Sequence, residues 1–150
     1  MKSLANVLIP LIDQNKFTCA YTFKKITTEN ISWRLNKETA SVGFIFRHIA
    51  EIQLLLGQFL GEATEVSNTT MGFQDTGQGN NLEKSKELLQ DGYKMLLELA
   101  EKHPEYWWME TIETPFFGTV SRLAMMGHIL NHNAHHSGQI SLTLARHTVE

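Results

Sequence analysis

The chain has 150 residues, 42% hydrophobic and 19% charged, with a formal net charge of -3. That length and balance suit one globular domain over residues 1–150 with a proper core and exclude a disordered chain. The small acidic excess argues against nucleic acid or an anionic membrane surface as partner.

The first predicted helix runs from about Leu4 to Ile26, with Pro10 near its first turn and Thr27, Thr28 and Asn30 ending it. A proline deeper in a helix costs about 3 kcal/mol, so its place near the start matters. The N-terminal apolar run is broken by Asn6 and Pro10 and lacks a small-residue cleavage site, so it reads as a helix start and not as a secretion signal. No run of 18 apolar residues exists, which predicts no transmembrane helix. Cys19 is the sole cysteine and has no activating neighbours. It excludes an intramolecular disulfide and points to a buried core residue in a reducing, cytoplasmic setting.

The second helix, Ser41 to about Leu60, has the cleanest period. Val42, Ile45, Phe46, Ile49, Ile52, Leu56, Phe59 and Leu60 recur at three- and four-residue steps. Ser41 suits an N-cap and Gly61 a C-terminal stop. Residues 62–80 contain three glycines and no helical period, so they read as a long loop of the kind that often serves function. Asn81 to Lys102 is an amphipathic surface helix whose charged face is simply solvated. Residues 105–114 form a connector in which Trp107 and Trp108 pack. The fourth helix is expected from about Pro115 to Arg146, with Pro115 in its first turn. From Pro115 to Ala145 only Arg122 carries a formal charge, which predicts a helix buried on nearly all sides. No strand is expected. The fold class is therefore all-α: a four-helix bundle with a long loop between its second and third helices.

The fourth helix carries His128, His132, His135 and His136. At 100° per residue, His128, His132, His136 and Gln139 share one stripe, with His135 at its edge. A spacing of four lets two imidazoles reach one metal ion. His48 lies three or four residues from Ile45, Phe44 and Ile52, hence on the apolar face of the second helix. A lone histidine on such a face is more often a hydrogen-bonded core residue. Three of them facing inward from two helices form a metal site with positions left open for water or substrate. His103 and His147 lie near helix ends and are expected to be exposed.

Other metal patterns fail. Ile129 follows His128 and Asn133 follows His132, so the glutamate of a zincin is missing. No glutamate stands three residues before a histidine, which excludes the carboxylate di-iron arrangement. Glu51, three residues after His48, could support that ligand, but a helix-surface carboxylate is the simpler reading.

Phe46-Arg47-His48-Ile49-Ala50-Glu51 and Asn131-His132-Asn133-Ala134-His135-His136-Ser137-Gly138-Gln139-Ile140 resemble the DinB-like family of metal-binding four-helix bundles, which takes in bacillithiol- and mycothiol-dependent enzymes. The resemblance covers nearly the whole chain. It implies His48, His132 and His136 as ligands, zinc or nickel as occupant, one ion per chain, and a homodimer. Ser137 stands where the family often has arginine. Three readings follow: a metal-dependent transferase moving a low-molecular-weight thiol onto an electrophile; a metal-binding or stress-response bundle without catalysis; and a bundle whose histidines only form hydrogen bonds. His128, His135, Gln139 and Glu51 are candidates to orient the metal shell or the substrate.

Overall fold

A computed structural model describes residues 3–147. Four long helices, α1 (Ala5–Phe23), α2 (Val42–Phe59), α3 (Leu82–Lys102) and α5 (Arg122–Arg146), are joined by a short helix α4 (Glu105–Met109) and a hairpin of β1 (Thr111–Thr114) and β2 (Gly118–Ser121). Helix α1 packs against α3 and α5, and α2 packs against α3 and α5. The four form a closed bundle in which α1 and α2, consecutive in the chain, lie diagonally opposite. The α1–α2 connection and the α4–hairpin segment span the diagonals.

Local chemistry sets the boundaries. The Ser41 hydroxyl accepts from Phe44 N at 3.2 Å and opens α2; Gly61 takes φ 90° just after it. Asn81 caps α3 through Lys84 N, and Ser121 caps α5 through Ala124 N. Pro10 sits inside α1, within its first two turns.

Two of the predicted backbone features come out differently. Pro115 opens no helix: it lies in the turn between β1 and β2, which pair antiparallel with Thr111 opposite Ser121 and Thr114 opposite Gly118. Thr111, Ile112, Thr114, Thr119 and Val120 are β-branched and favour the extended backbone. Gly118 supplies φ 63°, and the Thr114 hydroxyl accepts from Phe117 N and donates to Gly118 O, closing the turn. The lack of charge on α5 also does not make it buried all round. Met125, Met126, Ile129, Asn133, Ser137, Ile140 and Thr143 face the core, while Ala124, Gly127, Asn131, Ala134, Gly138 and Leu142 are exposed.

The core divides into two clusters. One gathers Leu8, Ile12, Ile52, Leu56, Leu96, Leu99, Trp108, Met125 and Ile129. The other gathers Cys19, Phe23, Ile31, Val42, Phe46, Ile49 and Ile140. A polar layer also ties helices together: the Tyr93 hydroxyl donates to Asn15 Oδ1 at 2.9 Å, Asn133 Nδ2 donates to the same oxygen at 3.3 Å, and Asn15 Nδ2 donates to Leu130 O at 2.7 Å. Cys19 is fully buried, and desolvation pushes its thiol pKa up. His103 and His147 are half-buried and stack on Trp107 and Trp33, so neither is the free surface side chain expected.

The 62–80 segment is irregular yet fastened along α2. The Thr64 hydroxyl donates to Leu54 O at 2.9 Å, and Asp75 accepts from Ser41 N at 2.8 Å while pairing with Arg34. Gly79 approaches so closely that a Cβ there would lie 2.0 Å from the carbonyl of Gly43, so only glycine fits.

The one-sided burial of α5 has a direct consequence. Ile129→Ala, at a fully buried position, lowers unfolding free energy by about 2–5 kcal/mol. Asn131→Ala, on the exposed face, changes it by no more than about 0.5 kcal/mol. Denaturant titration checks both, and equal losses would contradict the assigned faces.

Candidate metal centre

The core stripe of α2 turns Ile49, Ile52 and Leu56 inward and leaves His48 at its margin, facing α5. On α5, four-residue spacing stacks His132 and His136 along that same seam. The three rings meet there, half-buried. Ring centroids are 4.9 Å apart for His48 and His132, 4.8 Å for His48 and His136, and 4.4 Å for His132 and His136. His48 Nε2 and His132 Nε2 are 3.1 Å apart. One ring nitrogen from each histidine lies within 4.8 Å of the other two.

Desolvation pushes the pKa of all three down. His48 falls to about 4, with the nearby His136 adding to the effect and Glu51 opposing it. His132 falls to about 3, with His136 and His48 adding. His136 is lowered by burial, against the hydrogen bond to Gln139. All three are therefore neutral at pH 7 and offer lone pairs. Ligand nitrogens around one tetrahedral zinc ion stand about 3.3 Å apart. The His48 and His132 nitrogens are already at that spacing, at 3.1 Å, and all three donors lie within 4.8 Å of one another, so three neutral imidazoles form a donor set that suits a divalent transition metal.

The neighbours divide. Gln139 Oε1 lies 2.6 Å from His136 Nδ1 and can only accept, so it holds the proton of His136 on Nδ1 and leaves Nε2 bare. Gln139 Nε2 is 3.3 Å from His135 Nε2; His135 itself is exposed and stays outside the cluster. His128 lies one turn away, its ring 6.2 Å from that of His132, and packs at 4.3 Å against Phe117 from the hairpin turn. Ser137 is buried beside the Cys19 thiol, on the core side of α5.

Glu51 is not a surface carboxylate. It is 1% exposed and accepts from Thr69 N at 2.9 Å, the Thr69 hydroxyl at 2.6 Å and the Thr70 hydroxyl at 2.8 Å. Thr70 Oγ1 in turn lies 3.2 Å from His48 Nδ1. The long loop thus reaches the histidines, through a residue that carries no signal in the sequence. A cavity of about 620 Å³ lies on the other side of Glu51, lined by Arg47, Lys84 and loop residues 62–67, but none of the three histidines borders it.

Comparison with known proteins adds family and fold. The family model described as the DinB superfamily matches residues 18–140. Among solved structures, the crystal structure of TT2238, described as a four-helix bundle protein, is similar with a TM-score of 0.65 at 17% identity, covering 91% of this chain and 98% of that one. No curated protein matches the chain.

The depressed histidine pKa values fix a pH dependence for the metal-free protein. In the unfolded chain His48 and His132 take up protons near 6.5; in the folded chain they do so only near 4 and 3. The unfolded chain binds more protons between those limits, so their contribution to stability is complete above about pH 6.5 and is lost as pH falls toward 4 and 3. Denaturation midpoints are expected to be lower at about pH 5 than at about pH 7.5, with a smaller difference in His132→Ala. The same midpoints at both pH values would contradict the burial of neutral imidazoles.

Proposed function

The chain belongs to the DinB superfamily, and on that premise we propose that it binds one divalent transition-metal ion, zinc or nickel, through His48, His132 and His136 and transfers a low-molecular-weight thiol onto an electrophile. The observation that carries this reading is the convergence of three neutral imidazoles, each offering a ring nitrogen within 4.8 Å of the others. Three protein ligands leave room for an incoming group, the pattern of catalytic metal sites.

A dication held by three uncharged ligands keeps its charge and supplies the Lewis acidity that draws in a thiol as its anion. The residues do the rest. Gln139 orients His136, and the bundle seam holds His132 and His48 against each other. Among the described residues no carboxylate is hydrogen-bonded to the three rings to serve as a base: Glu51, on the same helix as His48, is turned to Thr69 and Thr70. The thiol proton would therefore pass to solvent when the thiol binds as its anion, before sulfur bonds to the electrophilic carbon and that carbon's leaving-group bond breaks. Phe117 beside His128, with the exposed Phe116, offers an apolar edge for the body of the electrophile.

Purified protein is expected to carry close to one metal ion per chain by elemental analysis, and His132→Ala or His136→Ala to lose most of it. With bacillithiol, glutathione or mycothiol and a chloro-dinitroarene or an epoxide, metal-loaded protein should turn over and chelated protein should not. If metal is retained by the wild type but no thiol gives a metal-dependent rate, the non-catalytic metal-binding reading replaces transfer. If a variant carrying His48→Ala, His132→Ala and His136→Ala together keeps its metal, the site assignment itself fails.

A homodimer is part of the proposal. Val7, Leu11, Phe17 and Tyr21 are all more than half exposed on one side of α1, an apolar face that a second copy would cover. Light scattering is expected to give about 34 kDa, two chains of 17.1 kDa, and Leu11→Glu with Phe17→Glu to halve it. A wild type that stays monomeric at every concentration would reject the dimer.

A further inference from the structure

We propose that Thr70 and Glu51 are positioning residues that lock His48 in the tautomer with its proton on Nδ1, so that the 62–80 loop, and not α2 alone, makes His48 competent as a ligand. The inference rests on the three-histidine metal reading for its consequence, though not for the tautomer itself, which belongs to the metal-free chain.

The argument is an inventory of protons. An ionised carboxylate only accepts, a threonine hydroxyl has one proton to give, and a neutral imidazole carries one N–H. Glu51 is buried and held near Arg47, whose Nη1 lies 3.9 Å from Oε1. Its Oε2 faces Thr70 Oγ1 at 2.8 Å, and Thr70 is itself only 2% exposed. If the hydroxyl proton pointed at His48 instead, a carboxylate oxygen and a hydroxyl oxygen would face each other at that distance with nothing between them. A bond to a charged acceptor is also the stronger of the two. The Thr70 proton therefore goes to Glu51, and the lone pair of Oγ1 faces His48 Nδ1 at 3.2 Å. Nδ1 must then carry the proton of His48, which leaves Nε2, the atom 3.1 Å from His132 Nε2, as a bare lone pair.

The relay is built into the loop. Glu51 also takes the backbone N–H and the hydroxyl of Thr69, and Asn68 Oδ1 accepts from Met71 N at 2.9 Å, fixing the turn that aims Thr70. Gln139 does for His136 what Thr70 does for His48. The two ligands are thus presented by unlike devices: an amide on the same helix, and a hydroxyl delivered from a loop by a buried carboxylate. Partners of this kind commonly alter metal affinity about 10- to 100-fold when removed.

The test compares wild type with Thr70→Val, which keeps shape and removes the acceptor, and Thr70→Ser, which restores the hydroxyl. Long-range ¹H–¹⁵N spectra of the metal-free proteins read the His48 tautomer, and zinc affinity is measured by competition with a chromophoric chelator. Circular dichroism confirms that each variant folds. Wild type and Thr70→Ser are expected to show His48 protonated on Nδ1 and to bind zinc alike. Thr70→Val is expected to populate the Nε2–H form and to bind zinc about 10- to 100-fold more weakly. Glu51→Gln, which turns an NH₂ group toward the loop, should weaken zinc in the same direction. A wild-type His48 protonated on Nε2, or a Thr70→Val protein unchanged in tautomer and zinc affinity, would overturn the proposal. A wild type that binds no zinc while His48 holds its proton on Nδ1 would instead remove the metal reading and leave the relay standing.

Discussion

Six ring nitrogens have to be accommodated where α2 meets α5, in a half-buried seam where an unpartnered polar atom costs about 1–3 kcal/mol. Much of the architecture around the seam serves that constraint. His136 Nδ1 is taken by Gln139 one turn further along α5, and His48 Nδ1 by Thr70 from the loop. The Nδ1 of His132 is buried without a protein partner among the described residues. The Nε2 atoms of His48 and His132 face each other at 3.1 Å, and one ring nitrogen of each of the three histidines lies within 4.8 Å of the others. His48 and His132 are within hydrogen-bond distance through Nε2, and burial, depressed pKa and convergence together make the three rings a candidate donor set for a cation.

The long loop makes structural sense in these terms. A segment of that length without regular structure is an entropic burden, and this one is tied at several points: Thr64 to Leu54, Asp75 to Ser41 and Arg34, Gly79 against Gly43, and Thr69 and Thr70 to Glu51. All of these except Arg34 lie on α2 or at its cap. The loop behaves as an extension of the helix that carries His48, and the buried Glu51 is its strongest anchor. A fixed loop beside the histidines is also a better frame for a site than a mobile one.

Much of this was legible from residue order. The apolar period of α2, its Ser41 cap, its Gly61 stop, the amphipathic stripe of α3 and the four-residue spacing of His132 and His136 all carry local physical signals, and the helical class of the fold was readable from them. The family match over residues 18–140 agrees with the resemblance read from the two histidine motifs. The losses came where the signal was absent or shared. The β1–β2 hairpin is too short to show a clear alternation, and Pro115 serves a turn as readily as a helix start. Absence of charge on α5 does not amount to burial, because small residues such as Gly127 and Ala134 tolerate exposure equally well. Glu51 has the same spacing from His48 whether it faces water or the loop; only the tertiary position of Thr69 and Thr70, some twenty residues away, decides between them.

The most direct test is crystallographic. Crystals of the protein as purified, measured above and below the absorption edge of the metal identified in them, should show one anomalous peak per chain within bonding distance of the Nε2 atoms of His48, His132 and His136. A well-defined peak elsewhere on the chain, or one reached by only one of the three rings, would contradict the assignment of this seam as the metal centre.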